Sequence, residues 1–120
     1  MKRRKRATFA LGLAALALTL SGGGVATAAK LPGHVYTLPG ATSLGYTPRI
    51  VVILKGSPLT YHNLDIAPHD VRSTAPGKFA SPVITIGKTA KVIGVPALAR
   101  GNYGFYCSIH TNMRGNLIVR

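Results

Sequence analysis

The feature that most constrains the fold of this chain is a series of short apolar runs that begins after residue 28. The runs are rich in Val, Ile, Tyr and Thr, and each ends near a Gly or Pro. No sustained helical periodicity follows residue 28. The pattern predicts an all-β domain, an antiparallel β-sandwich of short strands. The predicted strands are His34–Leu38, Arg49–Lys55, Leu59–Asn63, Pro82–Ile86, Thr89–Val95, Gly101–Ser108 and Gly115–Val119.

The start of the sequence has the pattern of an export signal. A basic run at residues 2–6 precedes an apolar stretch at residues 7–20, a glycine triplet and small residues that end at Ala28. The apolar stretch is shorter than the ~20 residues that span a bilayer, which disfavours the alternative of a membrane anchor. We therefore predict an export signal at 1–28, a folded domain at 29–120 and a periplasmic or extracellular location. Membrane contact is expected only if the signal is retained.

Outside the predicted signal, the basic residues are scattered along the sequence. The whole sequence has 15 Lys and Arg residues against two acidic ones, a formal net charge of +13. The signal holds five of the basic residues, and the ten that remain, with the two aspartates, give +8. The ten lie singly and form no basic stripe, which disfavours nucleic-acid binding. A basic surface favours instead a partner protein with an acidic docking surface.

Cys107 is the one cysteine of the sequence, so an exported form of this chain has no internal disulfide. Its thiol is an inert buried group, a link to another chain or a metal ligand. His110 and Met113 follow it at intervals of three residues. A thiolate, an imidazole and a thioether suit copper, which accepts soft sulfur and borderline nitrogen ligands together. A second histidine is needed, and His69 is the best candidate.

Two segments resemble the cupredoxins, the family of small blue copper proteins that includes plastocyanin, pseudoazurin and amicyanin. The first is the run Tyr61–Asp65, which lies four residues before His69. The second is the block Gly-x-Tyr-x-Phe-x-Cys-x-x-His-x-x-Met-x-Gly at residues 101–115. Its Cys-to-Met loop is most similar in length to that of amicyanin. The resemblance covers nearly all of the domain and implies a Greek-key β-sandwich of about seven to eight strands.

The resemblance implies a ligand set for one copper ion that cycles between Cu(I) and Cu(II). His69, Cys107 and His110 would form the trigonal plane of a type 1 site. Met113 would be the weak axial ligand. The implied function is electron transfer.

The resemblance also implies supporting roles for residues beside these ligands. Asp70 stands where the family usually has asparagine, and its side chain would bond Ser108 and tie the two ligand segments together. A carboxylate at this place is expected to favour Cu(II). Electrons would leave through the edge of His110, which Pro68 and Ile109 would surround with apolar surface.

These inferences favour an electron carrier over two other classes of protein. Four protein ligands leave no open position for a substrate, which catalytic metals keep, so an enzyme is disfavoured. Copper carriers tend to have open sites rich in Met or His, whereas this sequence has two methionines and one is the initiator. The alternative of an exported copper carrier that passes on the ion stays open. The protein is expected to be a monomer with transient redox partners.

The other polar residues are expected to be structural. His34 and His62 are expected to face solvent without binding metal. Asp65 is expected to bond backbone in the loop before the first ligand. Gly115 is expected to permit a tight turn into the last strand. The predicted core includes Leu59, Tyr61, Tyr103 and Phe105.

Overall fold

The computed structural model describes residues 31–120, and the predicted export signal lies outside them. This part of the chain forms two β-sheets, with one α-helix, α1, at Ala41–Leu44 and a 3-10 helix at Val95–Ala97. Neither helix has the length and apolarity that crossing a membrane requires. The strands are β1 (Gly33–Thr37), β2 (Ile50–Ile53), β3 (Leu59–Asn63), β4 (Arg72–Ser73), β5 (Thr89–Lys91), β6 (Gly101–Tyr106) and β7 (Arg114–Val119).

The two sheets confirm the predicted all-β sandwich of about seven strands. One sheet has the strand order β1–β3–β5 and the other has the order β2–β7–β6–β4. The pairs β1–β3 and β2–β7 are parallel, so the prediction of a purely antiparallel sandwich is wrong. The physical reason is the connection between β1 and β3. It runs through β2 in the opposite sheet, a crossover long enough to return the chain in the same direction.

One predicted strand is absent from the described residues and three others are shorter than predicted. Pro82–Ile86 forms no strand, because only Ile84 pairs there, in an isolated bridge with His69. The predicted strand Thr89–Val95 ends at Lys91, and the 3-10 helix follows. The two-residue strand β4 and helix α1 were not predicted, since neither is long enough to show a hydrophobic period.

The core lies between the sheets and reaches one end of the sandwich. Leu59 and Tyr61 are fully buried, and the residues beside them in β3 are half-buried on the outer face. Phe105 is also fully buried, as predicted. Tyr103 is half-buried and packs against the edge of the core. The same cluster of buried side chains continues to Cys107, which places the thiol out of contact with solvent.

Gly115 lies inside β7, opposite Phe105 of β6, and not in a turn before the strand. A Cβ atom on Gly115 would lie 2.4 Å from the Phe105 ring and 2.9 Å from the backbone oxygen of Arg49. The missing side chain therefore makes room for a core ring. The expectation that this glycine permits a tight turn is wrong.

Gly115→Ala is expected to destabilise the domain by about 1–3 kcal/mol, because the added methyl group overpacks the core. Urea titration measures the free energy of unfolding. Gly104→Ala in β6 is the matched control, since its Cβ meets the exposed side chain of Thr74 at 2.9 Å and that side chain can turn away. An equal loss of stability in the two variants would contradict this account of Gly115.

Candidate metal centre

Two loops at one end of the sandwich carry the predicted ligands. The first loop leaves β3 and carries His69, whose side chain is fully buried. Its backbone is tied to the segment before β5. The Ile84 N–H donates to the His69 oxygen at 2.9 Å, and the His69 N–H donates to the Ile84 oxygen at 3.2 Å. The backbone of His69 is therefore held in place by a pair of hydrogen bonds.

The second loop joins β6 to β7 and closes on itself. The Cys107 N–H donates to the Met113 oxygen at 3.2 Å, and the Met113 N–H donates to the His110 oxygen at 2.9 Å. The side chains of Cys107 and Met113 are buried in the same core cluster, and His110 is half-buried. The loop thus holds one thiol and one thioether inside the domain and leaves one imidazole at its surface.

The thiol and the two imidazoles meet where these loops touch. The Cys107 Sγ atom lies 3.8 Å from His69 Nδ1 and 3.8 Å from His110 Nδ1. All three ligand atoms lie within 4.8 Å of one another. A metal ion with bonds of about 2.3 Å to sulfur and about 2.0 Å to nitrogen, at ~120°, separates the two ligand atoms by about 3.7 Å. The donor atoms and their spacing therefore fit a copper ion.

Asp65 contacts a ligand directly, a role that the sequence analysis missed. Its Oδ1 atom accepts a hydrogen bond from the Gly40 N–H at 3.0 Å, in the turn after β1 rather than in the loop before the first ligand. Its Oδ2 atom lies 2.6 Å from His69 Nε2 and accepts a hydrogen bond from that nitrogen. The Nδ1 lone pair is then directed toward Cys107. The bond from His69 also holds the pKa of the Asp65 carboxyl below its usual range.

Asn63, at the end of β3, fastens the same loop and was also missed as a site residue. Its Nδ2 atom donates to the backbone oxygens of Ala67 at 2.9 Å and Ile84 at 2.8 Å. Its Oδ1 atom accepts from the Asp65 N–H and the Thr37 hydroxyl, both at 2.8 Å. The Asn63 side chain is fully buried and all its polar groups are paired. The one sequence signal for this network was the short spacing of Asn63 and Asp65 before the first ligand.

Asp70 connects the first loop to the second. Its Oδ1 atom accepts from the Ser108 N–H and its Oδ2 atom from the Ser108 hydroxyl, both at 2.7 Å. Arg72 Nε lies 3.8 Å from the same Oδ2 atom. The Tyr46 hydroxyl donates to the backbone oxygen of Asp70, and burial raises the pKa of Tyr46, which keeps this donor protonated. The structure thus brings Asp70 and Ser108 together next to Cys107.

Exposed apolar side chains lie on both ligand loops. Pro68 is exposed on the first loop, and Ile109 on the second loop is 46% exposed. Ile66, also on the first loop, is 85% exposed. Large apolar side chains that are this exposed are typical of surfaces that contact another molecule.

The comparison with known proteins identifies the family. A family model described as a cupredoxin-like domain matches residues 13–119. The chain belongs to the cupredoxin family. None of the curated proteins matches this cupredoxin closely enough in sequence to count as a relative.

Solved structures of cupredoxins share the fold. A purple cupredoxin from Nitrosopumilus maritimus is 24% identical, with a TM-score of 0.63 over 72% of this chain and 98% of that chain. A reduced variant of amicyanin is 22% identical, with a TM-score of 0.59 over 72% of this chain and 80% of that chain. A Cu(I) form of another amicyanin variant is 20% identical, with a TM-score of 0.59 over 74% and 82% of the two chains. At these identities the likeness extends to the fold alone.

The family and the fold together confirm the predicted cofactor. Cupredoxins bind one copper ion, and His69, Cys107 and His110 of this cupredoxin are arranged as a ligand set for it. A cupredoxin fold with this His–Cys–His site supports copper-dependent electron transfer as the general kind of function.

Asp65→Ala is expected to weaken copper binding by about 10–100-fold, because His69 loses the acceptor that orients its ring. Titration of the copper-loaded protein with a competing chelator measures the affinity. Asp65→Asn is the matched control, since an amide oxygen can accept the same hydrogen bond, and it is expected to lose less. An affinity in Asp65→Ala equal to that of the unmodified protein would contradict the positioning role of Asp65.

Proposed function

We propose that this cupredoxin is an electron carrier that binds one copper ion through His69, Cys107 and His110, with Met113 as a fourth, weaker ligand. The observation that carries the proposal is the equal 3.8 Å separation of the Cys107 sulfur from the two Nδ1 atoms. When bound, the copper ion supplies a one-electron couple between Cu(I) and Cu(II).

The chemistry of the donors supports this choice of metal. One thiolate, two neutral imidazoles and one thioether combine soft and borderline ligands, a set typical of blue copper electron-transfer sites. In this proposal all four positions belong to the protein. A substrate would find no open position on the metal, which argues against an enzyme.

The hydrogen bonds around the ligands support a carrier whose site stays in place during electron transfer. Asp65 orients one imidazole, and the Asp70–Ser108 pair holds the two loops together. These residues act on the ligands without a bond to the metal, and they keep the ligand atoms in one arrangement for both oxidation states. Little rearrangement then opposes the gain or loss of an electron.

The surface at His110 supports a docking site for redox partners. The half-buried ring of His110 would pass the electron, and Pro68 and Ile109 would contact the partner around it. The two acidic residues of the whole sequence, Asp65 and Asp70, are buried. Side-chain charges on the described surface are therefore all positive, which favours partners with acidic docking surfaces and an encounter that salt weakens.

The proposal includes the processing and location of the protein. The export signal at 1–28 would be removed, and the domain at 29–120 would act as a monomer in the periplasm or outside the cell. A retained signal would add contact with a membrane.

Retention of the ion during redox cycling separates an electron carrier from a copper carrier. The copper-loaded mature protein is reduced and reoxidised repeatedly with a copper chelator in excess, and bound copper is measured after each cycle. We expect one electron per copper in every cycle and no transfer of copper to the chelator, because His69, Cys107 and Met113 are buried and the two loops are clamped together. Cys107→Ser, which keeps the shape of the side chain but removes the thiolate, is the matched control and is expected not to cycle.

Two outcomes would contradict the proposal. Loss of copper to the chelator at each reduction would favour a copper carrier that passes on the ion. Cycling that is unchanged in Cys107→Ser would place the redox centre elsewhere.

A further inference from the structure

His34 and His62 lie together on the outer face of the three-stranded sheet. In the parallel pair β1–β3, Tyr36 is opposite His62 and His34 is opposite Thr60. The residues between them along each strand point into the core, so these four side chains share the outer face. None of the four is a proposed ligand of the copper centre. His34 is exposed, as expected, whereas His62 is half-buried against its neighbours.

The two imidazole rings already contact each other through nitrogen. His34 Nδ1 lies 2.9 Å from His62 Nε2, and the ring centroids are 5.1 Å apart. The Tyr36 ring stacks on His62, with centroids 4.5 Å apart and an angle of 14° between the planes. The stacking fixes the plane of His62, while the exposed His34 ring lies farther from Tyr36, with centroids 6.5 Å apart.

The proton count of the pair leaves lone pairs for a cation. Each neutral imidazole carries one N–H and one lone pair, so one ring of the pair donates through the 2.9 Å contact and the other accepts. Burial, together with the neighbouring His34, lowers the pKa of His62. Neutral imidazole is the form that binds metal ions. When the N–H proton of this contact moves through water to the other nitrogen of its own ring, both facing nitrogens carry lone pairs that a metal ion can accept.

We propose that His34 and His62 form a second metal site, which binds a divalent transition-metal ion such as Cu(II) or Zn(II). Metal–nitrogen bonds of about 2.0–2.1 Å at ~90–109° place two ligand nitrogens about 2.8–3.4 Å apart. The 2.9 Å between Nδ1 and Nε2 lies within this interval. A small rotation of His34 directs both lone pairs at one ion, and water completes its coordination. The site differs from the copper centre in having no sulfur ligand and in being open to solvent.

A positive charge on the same face disfavours the binding of a cation there. Its removal tests whether the affinity for the metal ion rises. Lys91 in β5 is opposite Thr60 and is exposed, so its ammonium group shares the outer face with the pair. Lys91→Gln removes a charge that repels a cation. It is therefore expected to tighten metal binding.

The test is a titration of the Cu(I)-loaded protein with Zn(II), followed by nuclear magnetic resonance of the histidine ring nitrogens. We expect one equivalent of Zn(II) to shift the resonances of His34 and His62 and to leave those of His69 and His110 in place. Zn(II) leaves the first centre loaded with copper. The result is therefore independent of whether that centre carries electrons.

Calorimetry of single variants assigns the ligands. The affinity for Zn(II) is expected to fall at least about tenfold in His34→Asn and in His62→Asn, since loss of even an outer partner of a metal ligand costs about 10–100-fold. Tyr36→Phe keeps the ring stack and both nitrogens, and its affinity is expected to be unchanged. Absence of Zn(II) binding, or binding that leaves both rings unshifted and both histidine variants unaffected, would overturn the proposal.

Discussion

The two hydrogen bonds between Asp70 and Ser108 are the interaction on which the rest of the site depends. They join the loop of the first histidine to the loop of Cys107 at 2.7 Å, and the Asp70 side chain is shielded from solvent. A buried carboxylate that accepts both a backbone N–H and a hydroxyl forms strong bonds that are costly to break. The distance from the Cys107 sulfur to the His69 ring is therefore determined by the folded chain before any metal binds.

The three-stranded sheet completes this arrangement from the other side. Asn63 ends β3 in the core, bonds the backbone of Asp65, and Asp65 in turn orients His69. Both acidic residues of the chain are thus used inside the site. Because both aspartates support the ligands inside the domain, neither adds negative charge to the described surface. The charged side chains there are positive, which favours the proposed partners with acidic docking surfaces.

The sequence predicted the parts of this fold that depend on local pattern. The strand Leu59–Asn63 has the predicted bounds because its side chains alternate between core and surface. Features that depend on contacts between residues far apart in the sequence could not be predicted from it. The parallel pairing of β1 with β3 depends on the path of the chain through the opposite sheet. The need for glycine at 115 comes from the Phe105 ring across the strand pair. Likewise, no local pattern assigns the second oxygen of Asp65 to His69.

The most direct test of the copper centre is a Cu(II) titration of the mature protein, followed by visible absorption and electron paramagnetic resonance. The arrangement of Cys107 between two imidazoles predicts an intense thiolate-to-copper band that saturates at one copper per chain. It also predicts narrow copper hyperfine splitting, and both signals are lost in Cys107→Ser. A pale complex with ordinary copper hyperfine splitting, unchanged by Cys107→Ser, would show that the thiol is not a ligand and would contradict the account.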